Sequence, residues 1–170
     1  GATLLGTTTA NASGDWSFQT GTLSDGSHSF TATATDAAGN TSDPTAALEV
    51  EVDTAAPAVS LDDYAEDSAA AGDGLTKDND LLLSGTAEPG ATVTIYDNGV
   101  ELGTTTADAS GDWSYQTGTL SDGDHSFTAT ATDAAGNTTD PTAAPEVEVD
   151  TAGPAVSLDD YAEDSAAAGD

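Results

Sequence analysis

Carboxylates are the side chains in this sequence that could do chemistry. Thirty-one Asp and Glu stand against one cation, Lys77, for a net charge of −30 over 170 residues. Two kinds of chemistry follow from carboxylates in number. Paired carboxylates can hydrolyse glycosides, but nothing marks out two of these as a pair. Clusters of hard oxygen ligands hold Ca²⁺, which accepts about 6–8 oxygens in flexible geometry. The acidic residues gather at turns. Asp62, Asp63, Glu66, Asp67, Asp73, Asp78 and Asp80 lie in one stretch, and Asp122 and Asp124 in another. Glu88, Asp108, Asp112, Asp133, Asn137 and Asp140 mark three more turns.

Composition excludes several functions. A single Lys and no Arg leave no basic patch for nucleic acid or anionic lipid. The absence of Cys removes disulfides, thiol nucleophiles and thiolate zinc sites. Apolar runs reach only Leu81-Leu82-Leu83, so no membrane-inserting helix is expected. No signal peptide or basic leader is evident. High charge and few aromatics favour disorder, but 36% of residues are apolar and they alternate in short stretches, which favours a fold.

The elements that position the carboxylates come in a repeat. Gly14-Asp15-Trp16-Ser17 recurs as Gly111-Asp112-Trp113-Ser114, an offset of 97. Residues 1–56 align without gaps on 98–153 with 46 of 56 identical, and 57–73 equals 154–170 throughout. The expected organisation is the C-terminal part of one unit (1–56), a complete unit (57–153) and the start of a third (154–170). Serial near-copies argue against catalysis, and no enzyme is expected.

Within 57–153, period-2 alternation of β-branched and aromatic residues predicts seven strands. They lie over about 58–62, 80–86, 91–97, 100–107, 112–117, 125–132 and 144–150. Asp97-Asn98-Gly99 is a tight hairpin turn. Val59, Leu61, Val93, Ile95, Trp113, Tyr115, Phe127, Val147 and Val149 are the inward set. Trp16 and Trp113 are both expected in cores, and His28 and His125 are expected to be structural or exposed. No helical period competes. Seven short strands in about 97 residues predict an all-β, immunoglobulin-like β-sandwich in tandem repeat.

Turns after the first, third and fifth strands share one pole, and the remaining turns share the other. The junction between units then brings Asp25 and Asp53 toward Asp133, Asn137, Asp108 and Glu88. Weak extracellular Ca²⁺ modules bind at about 10⁻⁴–10⁻³ M. At about 100-fold above Kd, one site adds roughly 2.7 kcal/mol, which is large for a thin-cored domain. No EF-hand is present: with Asp62 as loop position 1, Tyr64 falls at position 3. The glycine-rich nonapeptide of calcium β-rolls is also missing. Asp133-Ala-Ala-Gly-Asn137 also fits a hairpin turn whose Asp and Asn serve backbone amides.

Five segments carry a resemblance: Gly85-Thr86-Ala87-Glu88-Pro89-Gly90-Ala91-Thr92-Val93, Gly111-Asp112-Trp113-Ser114, Leu120-Ser121-Asp122-Gly123-Asp124-His125-Ser126, Ala131-Thr132-Asp133-Ala134-Ala135-Gly136-Asn137 and Val149-Asp150-Thr151-Ala152-Gly153-Pro154. In order and spacing they resemble the bacterial Ig-like repeats of large type I-secreted, RTX-type adhesins. The resemblance implies sandwiches in an extracellular stalk at the bacterial cell surface, stiffened by Ca²⁺ in or between domains. Carried over by position, the junction ligands are Asp53 and Asp150, with Asp36/Asn40 and Asp133/Asn137. Those between the first two strands are Asp62, Asp63, Asp73 and Asp78. The linkers depart from the related pattern, reading Asp-Thr-Ala-Ala-Pro and Asp-Thr-Ala-Gly-Pro.

The implied partners are neighbouring repeats of the same chain, with strand exchange between chains through the incomplete units. Two other functions suit the residues. One is a binding module for a carbohydrate or host protein, with Tyr64, Tyr96 and Tyr161 as its aromatics. The other is a salt-adapted acidic spacer without ion sites.

Overall fold

The computed structural model describes residues 3–65, 74–143 and 145–158. Its elements are β1 (Gly26–Phe30), β2 (Leu48–Val52), β3 (Asp63–Ala65), β4 (Leu75–Thr76), β5 (Leu82–Thr86), β6 (Thr92–Asp97), β7 (Val100–Thr106), β8 (Asp112–Gln116), β9 (Gly123–Thr132) and β10 (Glu146–Val149). There is no helix among the described residues.

Alternation decides which face each strand buries. In β6, Val93 and Ile95 point inward and pair with Ala131 and Ala129 of β9. In β10, Val147 and Val149 are buried, while Glu146 and Glu148 face water. These strands form a five-stranded sheet in the order β4-β10-β9-β6-β7. Facing it is a three-stranded sheet, β3-β5-β8, which contributes Leu83 and Trp113. Leu81, just before β5, joins the same core with Phe127. Small alanines at 91, 107, 129 and 131 let the two sheets approach, so the core is narrow. Among the described residues, the buried hydrophobic side chains of the core all lie between Leu81 and Val149. β6 and β7 meet through Asn98 (φ +49) and Gly99 (φ +78), both left-handed as a tight hairpin requires.

Three features differ from the sequence expectation. The first strand runs past 62. Val59 bridges Ala87, the Ser60 and Asp62 amides donate to the Thr86 and Ser84 carbonyls, and β3 then carries the pairing to Ala65. The stretch expected to be an acidic loop contains β4, which pairs parallel with β10. Burial of Thr76 at 1% exposure explains why those two residues are held there. β9 begins at Gly123, earlier than expected, because it continues pairing with β10.

Residues 1–56 contribute β1 and β2, an antiparallel pair from Gly26↔Val52 to Phe30↔Leu48. Here the expectation for Trp16 is corrected. Trp113 is 4% exposed, packed between sheets, whereas Trp16 is 57% exposed. Trp113 is covered by Ser60 and Gly85, on strands that have no counterpart within 1–56. Tyr64 likewise packs against the core rather than displaying an aromatic face.

Candidate inter-unit junction

The hairpin after β9 turns through Asp133–Asn137. Gly136 takes a left-handed φ of +95, which lets the chain reverse within these five residues. The Asp133 carboxylate fills the turn. Its Oδ1 accepts the amides of Gly136 (2.7 Å) and Asn137 (2.9 Å), and its Oδ2 accepts Asn137 Nδ2 (2.8 Å). The Asn137 side chain, then the backbone amides, stabilise the ionised form and hold Asp133 below the ordinary carboxylate value of 3.8. Asp36 and Asn40 build the same turn in the first unit, with Oδ1 accepting the Ala38 and Asn40 amides and Oδ2 accepting Asn40 Nδ2. Asp36 is lowered for the same reason, the Asn40 side chain first.

Asn137 also reaches across the unit boundary. Its Nδ2 donates to the backbone carbonyl of Asp53 at 3.0 Å, 84 residues away in sequence. The linker it touches is held from the other side. Asp25 Oδ1 accepts the Thr54 amide (3.1 Å) and hydroxyl (2.7 Å), and Asp53 Oδ1 accepts the Ala55 amide (3.0 Å). The same clamp recurs after the second unit, where Asp122 Oδ1 holds Thr151 at 3.1 and 2.7 Å and Asp150 Oδ1 holds Ala152 at 2.9 Å. Thr54 and Thr151 are linker contacts that the sequence reading missed. Their signal was the invariant spacing of 29 residues from Asp25 and Asp122.

Of the expected ligands, the fold therefore brings Asn137, bonded to the Asp133 carboxylate, against the Asp53 backbone carbonyl, while the Asp53 carboxylate turns to the Ala55 amide. Asp108 and Glu88 do not join them: Asp108 Oδ1 caps its own turn through the Ser110 and Asp112 amides, and the Glu88 amide donates to Ala58. Asp36/Asn40 and Asp150 occupy the equivalent positions at the two outer ends. Asp62 accepts the Ser60 hydroxyl, Asp63 sits in β3, and the Asp78 amide donates to Thr76 Oγ1. Those three are spread along strand and turn rather than gathered. Asp73 lies outside the described residues. Among the described residues, no three His, Asp or Glu side chains gather closely enough to hold a metal ion. A shallow open groove beside Thr105, Asp108, Asp112 and Trp113 offers no exposed aromatic platform, since the Trp113 ring is buried.

Among solved structures, the fibronectin(III)-like modules of Clostridium thermocellum CbhA are similar at 17% identity and a TM-score of 0.44. That similarity covers 75% of this chain and 64% of that one, so the chain spans less than two thirds of the module structure. No curated protein shows significant similarity. Residues 1–54 and 55–151 each match the family described as Bacterial Ig-like domain, which is not a catalytic family and is usually found on surface or secreted proteins. The chain belongs to the bacterial Ig-like domain family, in two tandem copies.

Proposed function

We propose that this chain is a spacer segment in the stalk of a bacterial surface adhesin, in which tandem sandwiches are held end to end. The observation that carries the reading is the Asn137–Asp53 bond, made by a turn that both copies build. A unit gripping the previous linker, and clamping its own outgoing linker through Asp122 and Thr151, resists bending at every boundary. On this reading 1–56 and 57–153 are successive units and 154–170 begins another.

Ca²⁺ would stiffen the joint. At the junction, the Asn137 amide group bridges two hard oxygens, the Asp53 carbonyl and Asp133 Oδ2. Asp53, Asp133 and Asn137 are the residues that would hold the ion, with water completing a shell of about 6–8 oxygens. Such a shared, partly hydrated site suits weak binding. The ion supplies positive charge where carboxylates of adjacent units otherwise repel across a Debye length of about 8 Å.

A second reading, a salt-adapted spacer, is favoured by the net charge of −30 and by the lack of a gathered carboxylate triad among the described residues. Thermal unfolding followed by Trp fluorescence separates the two. Ca²⁺ is titrated from chelator to about 10 mM, above the weak-site range, at constant ionic strength with Mg²⁺ and NaCl controls. A saturable, Ca²⁺-selective rise in midpoint supports the ion-stiffened joint. A rise matched by NaCl supports charge screening alone.

A further inference from the structure

His125 is a buried titratable group with no part in the junction hydrogen bonds themselves. The residue is 6% exposed and its ring stacks on Phe127, with centroids 5.9 Å apart. Nδ1 lies 2.7 Å from Asp97 Oδ2, and Nε2 lies 2.9 Å from the Ser121 carbonyl oxygen. Both partners are acceptors only, so both ring nitrogens must carry protons for both bonds to exist. A neutral imidazole has a single N–H and loses one of them.

The two bonds tie three elements together: the β6–β7 hairpin at Asp97, the start of β9, and the turn carrying Ser121. The residue after Ser121 is Asp122, which clamps the outgoing linker at Thr151. The first unit repeats the Ser121 arm of this path, without a counterpart of Asp97. His28 Nε2 lies 2.7 Å from the Ser24 carbonyl oxygen, its ring stacks on Phe30, and Asp25 holds Thr54. In both copies, then, an imidazole grips the residue beside the carboxylate that grips the linker.

We propose that the proton on His125 sets how firmly a unit holds its outgoing linker, making the stiffness of the joint pH-dependent. This deepens the spacer reading by naming a regulator of the joint, and it rests on that reading.

The charged groups facing the ring are Asp97, from the end of β6, and Asp124, beside it on β9. β10 sets Val147 opposite His125, with Glu146 and Glu148 on the outer face. Burial alone would lower the His125 pKa. The bonds to Ser121 and Asp97, with the fields of Asp97 and Asp124, outweigh it and raise the value above 6.5. A raised value means the clasp is complete below the unfolded-state value of 6.5 and is lost as pH rises through the higher folded-state value.

The test is an NMR titration of the full ¹⁵N-labelled chain from about pH 5 to about pH 9, spanning the histidine range. The His125 ring C–H and the Thr151 amide are followed together. The expected result is one shared midpoint for both signals. In Asp97→Asn, both midpoints should fall together by roughly 1 pH unit or more, as loss of an adjacent opposite charge dictates. A Thr151 amide that stays still while His125 titrates overturns the proposal, as does a His125 midpoint that Asp97→Asn leaves in place. If Asp97→Asn does not fold, the wild-type titration decides alone. The titration is run in chelator, so its outcome is separable from that of the calcium titration.

Discussion

Replacing Gly85 by Ala should break the seal between the first strand and Trp113. Gly85 is buried in β5, opposite Trp113 in the register. A Cβ at this position would overlap the Ser60 carbonyl oxygen and lie 2.8 Å from Cζ2 of Trp113. Neither neighbour can yield freely. Ser60 is fixed by its amide bond to the Thr86 carbonyl at 2.8 Å, and the Trp113 indole N–H donates to the Ser60 carbonyl at 3.1 Å. Overpacking of this kind costs about 1–3 kcal/mol. Losing the indole bond adds about 0.5–1.5 kcal/mol. The expected loss is therefore roughly 2–4 kcal/mol, or roughly 10–30 °C in midpoint for a domain of this size. Gly90→Ala is the control: space around it is open, so only the left-handed φ of +85 opposes the change, at about 1–2 kcal/mol. Urea unfolding monitored by Trp emission reads both variants, and the buried indole is Trp113, since Trp16 is exposed. A Gly85→Ala protein as stable as Gly90→Ala, with unshifted Trp113 emission, would refute the packing argument.

Other outcomes follow from the junction and the core. Asn137→Ala removes the bonds to Asp53 and to Asp133 Oδ2 and should cost about 0.5–1.5 kcal/mol. Hydrogen exchange at the Ala55 and Thr54 amides should accelerate in the same variant, while β9 core amides stay protected. Phe127→Ala empties the centre of the core and should cost about 3–5 kcal/mol, read by urea unfolding. In acid, Asp133 contributes stability above its unfolded value of 3.8 and loses it as pH falls through its lower folded value. Carboxyl NMR should therefore find Asp133 titrating below 3.8 in wild type and moving upward in Asn137→Ala.

The sandwich was legible because its inward hydrophobic residues fall at every second position. Val93/Ile95, Phe127/Ala129/Ala131 and Val147/Val149 each mark one face, and Asp97-Asn98-Gly99 marks a hairpin between two such runs. β4 was not legible. Two residues cannot show a period, and their partner β10 lies far along the chain. The early start of β9 was hidden by His125, a polar residue facing inward whose partners Asp97 and Ser121 become adjacent only on folding. At the junction, the Asp133 turn could be read from its Asp-x-x-Gly-Asn spacing, and Asp53 from its place at the end of a strand. The hold of Asp25 on Thr54 needed the register of β1 with β2, which local sequence does not contain. The acidic stretch from Asp62 to Asp80 misled in one respect. Asp62 and Asp63 are drawn into pairing with β5, so they extend along a strand instead of closing a loop.

The central claim is that consecutive units are held in a fixed orientation through the Asp53 linker. Residual dipolar couplings measured on the whole chain test it directly, comparing β1–β2 amides with those of the sandwich. With Ca²⁺ at about 10 mM, above the weak-site range, both sets should fit a single alignment tensor. Chelator or Asn137→Ala should split them into two tensors of unequal magnitude. Two independent tensors in saturating Ca²⁺ would contradict the account, because the joint would then be a free hinge.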